Sequence, residues 1–249
     1  MAAMLKALIF DVDGTLADTE EAHRMAFNQA FAQLGRDWHW DLPTYTQLLD
    51  VAGGKERILR YWRQVQPDLM QIDSSALQDE VATMHTLKTA IYERAVQDGQ
   101  VHLRPGVLRL IGQAQQAGVR LAIATTTSAV NVVALLRAAI GPDWQHYFSV
   151  IEDASTAQHK KPHPQVYLQV LQRLQLQARD CLVLEDSSNG LRAALSAGLA
   201  TLVTPNSFTA HNDFTGALRV LPDLQATNLV DLRALHRMCH TCAPASAPH

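Results

Sequence analysis

The sequence predicts a doubly wound, Rossmann-like α/β fold: a parallel sheet with helices on both faces and an α-helical domain inserted into it. Three observations carry this expectation. Short apolar runs alternate with amphipathic stretches along most of the chain. The runs are apolar on both faces, as strands in the middle of a parallel sheet are. The alternation stops between residues 18 and 100, where only helical patterns occur. A chain of 249 residues has room for one large core and a smaller second unit.

The elements follow in order. Residues 5–10 read as a strand ending at Asp11. Helical patterns then occupy residues 21–34, 55–65 and 77–96, and the chain is expected to return near Leu103-Arg104-Pro105-Gly106. Pro105 is placed to open a helix carrying Val107, Leu110, Ile111, Ala114 and Ala117, which Gly118 closes. The run Leu121-Ala122-Ile123-Ala124 reads as a strand that ends at a Thr-Thr-Thr-Ser cluster, residues 125–128. Ser128 is suited to cap a helix with Val132, Val133, Leu136 and Ile140, stopped by Gly141-Pro142. A further strand is expected at Phe148-Ser149-Val150-Ile151, and a helix with Val166, Tyr167, Val170, Leu171 and Leu174 on its apolar face. Leu182-Val183-Leu184 ends at Glu185-Asp186; a short helix with Leu191, Ala194 and Leu195 leads to the strand Ala200-Thr201-Leu202-Val203. These readings divide the chain into a core of residues 1–17 and 101–238, an insertion of residues 18–100, and a tail of residues 239–249. The tail is rich in Ala and Pro from Ala243 and is expected to be disordered.

Composition narrows the function classes. Apolar residues make up 47% and charged residues 18%, which excludes a disordered chain. A net charge of −3 gives no basis for a nucleic-acid or membrane partner. No apolar run approaches the roughly 18 residues of a membrane span. Residues 1–10 lead straight into a strand pattern, so no signal peptide is expected. Three cysteines do not make a disulfide framework. The expectation is a soluble, cytoplasmic monomer acting on a small molecule.

Polar residues gather at the carboxyl ends of the strands, where open α/β sheets bind ligands: Asp11 and Asp13, then Thr125, then Glu185 and Asp186. Any one of these alone reads most simply as a cap or turn residue. The same pattern at three strand ends points instead to a shared crevice. Carboxylates gathered there repel one another and want a cation, and oxygen donors select a hard one such as Mg²⁺. In Asp11-Val12-Asp13-Gly14-Thr15, one aspartate ends the strand and the other begins the loop, with Gly14 allowing a tight turn. One carboxylate can attack an electrophile such as phosphorus while the second manages the leaving-group proton.

Phe10-Asp11-Val12-Asp13-Gly14-Thr15-Leu16 resembles the first motif of the haloacid dehalogenase-like phosphohydrolases. The resemblance extends to Thr125 after Ile123-Ala124, to Lys161 in Lys160-Lys161-Pro162-His163-Pro164, and to Glu185-Asp186. It implies a phosphatase in which Asp11 is the nucleophile and Asp13 the acid and base. Thr125 would hold the phosphoryl group with the backbone beside Thr126, and Lys161 would offset the negative charge. It also implies a Mg²⁺ site of Asp11, Glu185, Asp186 and the Asp13 backbone carbonyl. Dehalogenases of this family lack an acid at the second aspartate, so Asp13 points to a phosphorylated substrate.

Two parts of the insertion look chemical. Asp18-Thr19-Glu20-Glu21-Ala22-His23 is tethered close to Asp11, and Gly53-Gly54-Lys55-Glu56-Arg57 puts two glycines and two cations at a helix start. Free backbone amides plus cations make a phosphate site; a glycine-rich turn with solvated charges fits the same residues. The insertion resembles the helical cap of the phosphoglucomutase-like branch. Residues 13–20, Asp37-Trp38-His39-Trp40-Asp41, Gly53-Gly54-Lys55-Glu56-Arg57-Ile58 and Glu185-Asp186-Ser187-Ser188-Asn189-Gly190 resemble the CbbY-type phosphatases encoded with Calvin-cycle genes. That resemblance implies a sugar bisphosphate substrate, xylulose 1,5-bisphosphate, an inhibitor of ribulose-bisphosphate carboxylase. Gly53, Gly54, Lys55 and Arg57 would take the distal phosphate and Glu20 the sugar hydroxyls. Asn189 would join the substrate site, with Arg36 as a further phosphate contact. His23 would have a secondary acid-base role. Gln165 departs from the aspartate usual there, and Ile151-Glu152-Asp153-Ala154 lacks a common glycine; neither carries the chemistry. The other readings are a β-phosphoglucomutase-like phosphomutase and a non-catalytic sugar-phosphate binder. Intact Asp11, Asp13, Thr125, Lys161 and Asp186 weigh against the binder.

The remaining features read as structural. Trp38 and Trp40 are expected to pack, Cys181 to be buried, and Cys239-His240-Thr241-Cys242 to have no role. His85, His102, His159 and His163 are expected on the surface or in loops, leaving His23 alone near the crevice.

Overall fold

The computed structural model describes residues 4–68 and 74–241, with side chains as far as Cys239. A six-stranded, all-parallel sheet has the order β3-β2-β1-β4-β5-β6. Its strands are β1 (Ala7–Phe10), β2 (Arg120–Ala124), β3 (Val150–Glu152), β4 (Cys181–Glu185), β5 (Ala200–Val203) and β6 (Arg219–Val220). The five apolar runs all form strands. β6 has no apolar signal, since its two residues are exposed on the sheet edge.

The central strand shows why the runs are apolar on both faces. Leu8 and Phe10 join one buried cluster with Leu110, Leu135 and Leu232. Ala7 and Ile9 join the opposite cluster with Val166, Val170 and Ala193. Alternate side chains of β1 thus serve two cores, each covered by helices. One core lies under α5 (Val107–Gln116), α6 (Ala129–Ala139) and α9 (Leu229–Thr241); the other lies under α7 (Gln165–Leu174) and α8 (Ser188–Ser196).

Four helices fill the insertion: α1 (Glu20–Gln33), α2 (Leu42–Leu48), α3 (Gly54–Val65) and α4 (Ser75–Gln97). Of these, α2 had no expectation; Asp41 caps it by accepting from the Thr44 N–H at 2.8 Å. A third buried cluster belongs to the insertion, with Phe27, Phe31, Trp40, Tyr45, Ile58 and Trp62. Trp40 is wholly buried against Phe27, ring centroids 4.5 Å apart, so the tryptophans pack as expected. The chain leaves and re-enters the core side by side: Ala17 pairs with Leu103, and the Arg104 N–H donates to the Leu16 carbonyl at 2.9 Å.

Two local expectations need correction. Pro105 does not open α5; Gly106, at φ +85°, precedes the first helical residue, so Pro105 lies in the turn. The tail does not begin at residue 239, because α9 continues to Thr241. Residues 242–249, with Cys242 and hence the paired-cysteine pattern, lie outside the described residues. Cys181 is buried, and its thiol is pushed up to about 12 by burial and by Asp180. No helix among the described residues is long and apolar enough to cross a membrane.

Candidate active site

Strand register builds the site. Phe10 is level with Ile123 of β2 and Leu184 of β4, so the next residues emerge together at one end of the sheet. Asp11 begins there, its N–H held by the Leu184 carbonyl at 3.0 Å. The resulting cleft, open to solvent, lies between the strand ends and the insertion. It is lined by Asp11, Asp13, Glu20, His23, Gly53, Gly54, Lys55, Arg57, Thr125, Thr126, Lys161, Glu185, Asp186 and Asn189.

Lys161 organises the sheet side. Its ammonium donates to Asp11 Oδ1 at 2.6 Å, Glu185 Oε1 at 2.6 Å and the Ala124 carbonyl at 2.8 Å, which uses all three protons. Burial alone would disfavour the ammonium, yet Asp11 and Glu185 raise its proton affinity above the ordinary lysine value. Glu185 also accepts from the Tyr167 hydroxyl and, at Oε2, from the Asp186 N–H at 3.2 Å. The first turn of α8 passes so close that a Cβ on Gly190 would collide with the Glu185 carboxylate. Asp186 accepts from Asn206 Nδ2 at 2.8 Å.

Burial and mutual repulsion raise the proton affinity of two carboxylates. Asp11 is pushed up to about 7 by burial, with Glu185 and Asp13 adding to the rise and Lys161 opposing it. Asp186 is raised by burial, Asp11 and Glu185. Oxygens of Asp11, Glu185 and Asp186 all lie within 4.8 Å of one another. Buried hard donors that resist ionisation together are what a divalent cation relieves, so these residues fit Mg²⁺. The Asp13 carboxylate lies outside that oxygen group. Its Oδ1 meets His23 Nε2 at 3.1 Å.

The Asp13 contact opens a chain into the insertion. His23 Nδ1 lies 2.7 Å from Lys88 Nζ, and the His23 ring stacks on Tyr92 at 3.9 Å. With Lys88 donating, His23 accepts at Nδ1 and donates from Nε2 to Asp13. Burial opposes the Asp13 charge, but His23 and Lys88 outweigh it and hold the carboxyl well below the usual range. Burial and Lys88 hold His23 below the ordinary histidine value. Lys88 is itself brought down to about 7 by burial, despite the pull of Asp13.

The rest of the insertion wall sets the cations Lys55 and Arg57 beside Glu20, Asp50 and Glu56. Gly53 precedes α3 at φ +102°, a backbone that favours glycine, and Lys55 stands exposed in the next turn. Arg57 Nε donates to the Val51 carbonyl at 3.0 Å, and the Tyr45 hydroxyl donates to Glu20 at 2.8 Å. Asn189 reaches across from the core, donating to the Asp50 carbonyl at 3.2 Å. On the core side, Thr125 Oγ1 accepts from the Thr127 N–H at 3.2 Å, which orients the hydroxyl at the strand end.

Two expectations fail here. Arg36 does not line the cleft: its guanidinium lies 4.7 Å from the Trp62 ring centroid and is ion-paired with Glu80. Stacking on the tryptophans and the ion pair hold it in the insertion's own packing. His85 is no peripheral residue; it lines the cleft, and a Cβ on Gly54 would strike its ring. His102, His159 and His163 are exposed, as expected. Sequence reasoning missed Lys88, Tyr167 and Asn206. Lys88 had a signal, because it interrupts the apolar stripe Leu77, Val81, Met84, Tyr92 and Val96 of α4. Tyr167 and Asn206 had none, since both act through partners distant in sequence.

The profile of the haloacid dehalogenase-like hydrolases matches residues 5–198. CbbY, plasmid, of Cupriavidus necator is 56% identical over 220 residues, 88% of this chain and 86% of that protein. CbbY from Rhodobacter sphaeroides, crystallised with phosphate and, as a mutant, with xylulose 1,5-bisphosphate, superposes with a TM-score of 0.84 at 44% identity. That match covers 92% of this chain and 99% of the other. A β-phosphoglucomutase from Clostridium difficile shares the fold, with a TM-score of 0.78 at 20% identity over 96% of this chain and 100% of that one. Profile, relatives and strand-end residues agree, and the chain belongs to the haloacid dehalogenase-like hydrolases, in their CbbY group.

Proposed function

We propose that this enzyme removes one phosphate from a sugar bisphosphate, with xylulose 1,5-bisphosphate the foremost candidate. Its family makes it a phosphoric monoester hydrolase. One observation carries the finer reading: a single cleft joins a nucleophile and carboxylate pole to a cationic wall at Lys55 and Arg57. A bisphosphate needs two anion-accepting ends, and a relative of 44% identity was crystallised with xylulose 1,5-bisphosphate. The helical insertion, residues 18–100, serves as the cap over the core of residues 1–17 and 101–238.

Asp11 attacks phosphorus in line, and the bond to the leaving alkoxide breaks as the Asp11–phosphorus bond forms. Asp13 gives its proton to the alkoxide. A substrate phosphate beside Asp13 raises the proton affinity that His23 otherwise depresses, which prepares it as the acid. Once ionised, Asp13 takes a proton from water, which opens the aspartyl-phosphate and restores the acid form. Lys161 and Thr125 stabilise the phosphoryl oxygens throughout. Asp11, Glu185 and Asp186 would hold Mg²⁺, with Glu185 also accepting from Lys161 and Tyr167. The ion would offset repulsion between carboxylate and phosphate.

Phosphate release from a panel of sugar mono- and bisphosphates, with and without Mg²⁺, tests the reading. Mg²⁺-dependent release from a pentulose bisphosphate supports it. Isomerised sugar phosphate without free phosphate would make the enzyme a phosphomutase instead. Binding with no turnover of any member would leave only a sugar-phosphate binder.

A further inference from the structure

We propose that Lys160 is a specificity-determining residue, supplying a cation from the core to the distal end of the cleft, and that Glu56 is its stand-in for the second anionic group of the substrate. This rests on the sugar-bisphosphate reading of the same cleft.

Adjacent lysines of one loop diverge. Lys161 turns inward to Asp11 and Glu185 and is 5% exposed at its side chain. Lys160 turns toward the insertion, forms an ion pair with Glu56 of α3, and keeps 29% of its side chain exposed. The pair sits against the start of α3: a Cβ on Gly53 would collide with both the Lys160 ammonium and the Glu56 carboxylate. Lys160 therefore stands over the helix N-terminus, with Lys55 in the first turn of α3, on the insertion side of the cleft.

Glu56 is a poorly satisfied partner. One oxygen accepts from Lys160, while Oε2 is buried with no hydrogen-bond partner. A buried carboxylate oxygen left unpaired is a weak point in the wall. A phosphate entering there has three oxygens to offer Lys160, Lys55 and the amides of the first turn of α3. Exchange keeps Lys160 paired and releases Glu56 to solvent. A substrate with one phosphate offers no such exchange and leaves the Glu56–Lys160 pair in place.

Steady-state kinetics on a pentulose bisphosphate and on p-nitrophenyl phosphate test this, using Lys160→Gln and Glu56→Gln in the full-length enzyme. The readout is the bisphosphate-to-aryl ratio of kcat/KM. Lys160→Gln is expected to lower that ratio about ten-fold, through KM rather than kcat. Glu56→Gln is expected to raise it, since the competitor for Lys160 is gone. If both variants lower the ratio, or neither moves it, the pair is only a contact between insertion and core and the proposal fails. Wild-type enzyme that cleaves the aryl phosphate but neither cleaves nor is inhibited by any sugar bisphosphate would overturn the sugar-bisphosphate reading itself.

Discussion

The two walls of the cleft solve opposite electrostatic problems. On the sheet side, Asp11 and Glu185 hold one buried ammonium with Asp186 close by, and burial and repulsion push the proton affinities of Asp11 and Asp186 up. On the insertion side, Lys88 and His85 are packed among other cations, and burial pushes their proton affinities down. The first wall crowds carboxylates around one ammonium, and the second crowds Lys88, His85, Lys55 and Arg57 beside Glu20 and Glu56. A metal ion would complete one and, on the proposed function, a substrate anion the other. Asp13 sits at the seam, on the core but hydrogen-bonded to His23 of the insertion.

Breaking the sheet wall has the larger effects. Asp11→Asn removes the nucleophile and should cost at least about a thousand-fold in phosphate release; activity near the wild-type level would exclude a covalent step at this residue. Chelation by EDTA should cost roughly a hundred-fold or more, with recovery on adding Mg²⁺. Turnover indifferent to EDTA would mean that Lys161 alone offsets the carboxylate charge.

The insertion wall should give smaller and more selective effects. Lys88→Met cuts the chain to Asp13 and should lower kcat about ten- to a hundred-fold. The same change completes the apolar stripe of α4, so the melting temperature should hold or rise. A lower melting temperature with an intact kcat would make Lys88 a structural residue only.

His85 gives this wall a signature in stability. Burial, with help from Lys88 and Lys55, brings it down to about 4 from an ordinary 6.5. Between those values the unfolded chain binds a proton that the folded chain does not, so stability falls as pH drops from 6.5 toward 4. With solvent screening the loss is at most about 2 kcal/mol, measurable by urea unfolding. His85→Gln should flatten the profile in that window; an unaltered slope would assign it to other groups. The smallest effect is expected from Lys55→Ala, a several-fold rise in KM (~3- to 10-fold) for a bisphosphate with little change on an aryl phosphate. Equal losses on both substrates would remove Lys55 from the distal end.

The two walls also differ in how legible they are in sequence. Strand-end residues can be read because an apolar run followed by a polar residue fixes both the position and the direction of that residue. Asp11, Thr125 and Glu185 are of this kind, and the parallel register brings them level. Helical residues lack that constraint. Arg36 has a side chain long enough to leave any site suggested by its sequence position, and the tryptophan faces claim it. His85 reaches the cleft only because α4 packs on α3, which its own neighbours do not announce. Tyr167 was placed on the apolar face of α7 and does lie there; its hydroxyl finds Glu185 across the core. The exposed pair Arg219–Val220 becomes a strand through β5 alone.

The pairing of Ala17 with Leu103 has a consequence for how such an enzyme changes over time. Because the two crossings touch, the chain enters and leaves the insertion through a single stitch, beside which α4 packs on α6. Arg104, the next residue, anchors that stitch by donating to the Gly14 carbonyl at 2.6 Å and to the Pro205 carbonyl at 2.9 Å. Lengthening, shortening or replacing the suspended segment leaves the strand ends in register with one another. Substrate choice can therefore drift by whole-module exchange while the chemical step stays put.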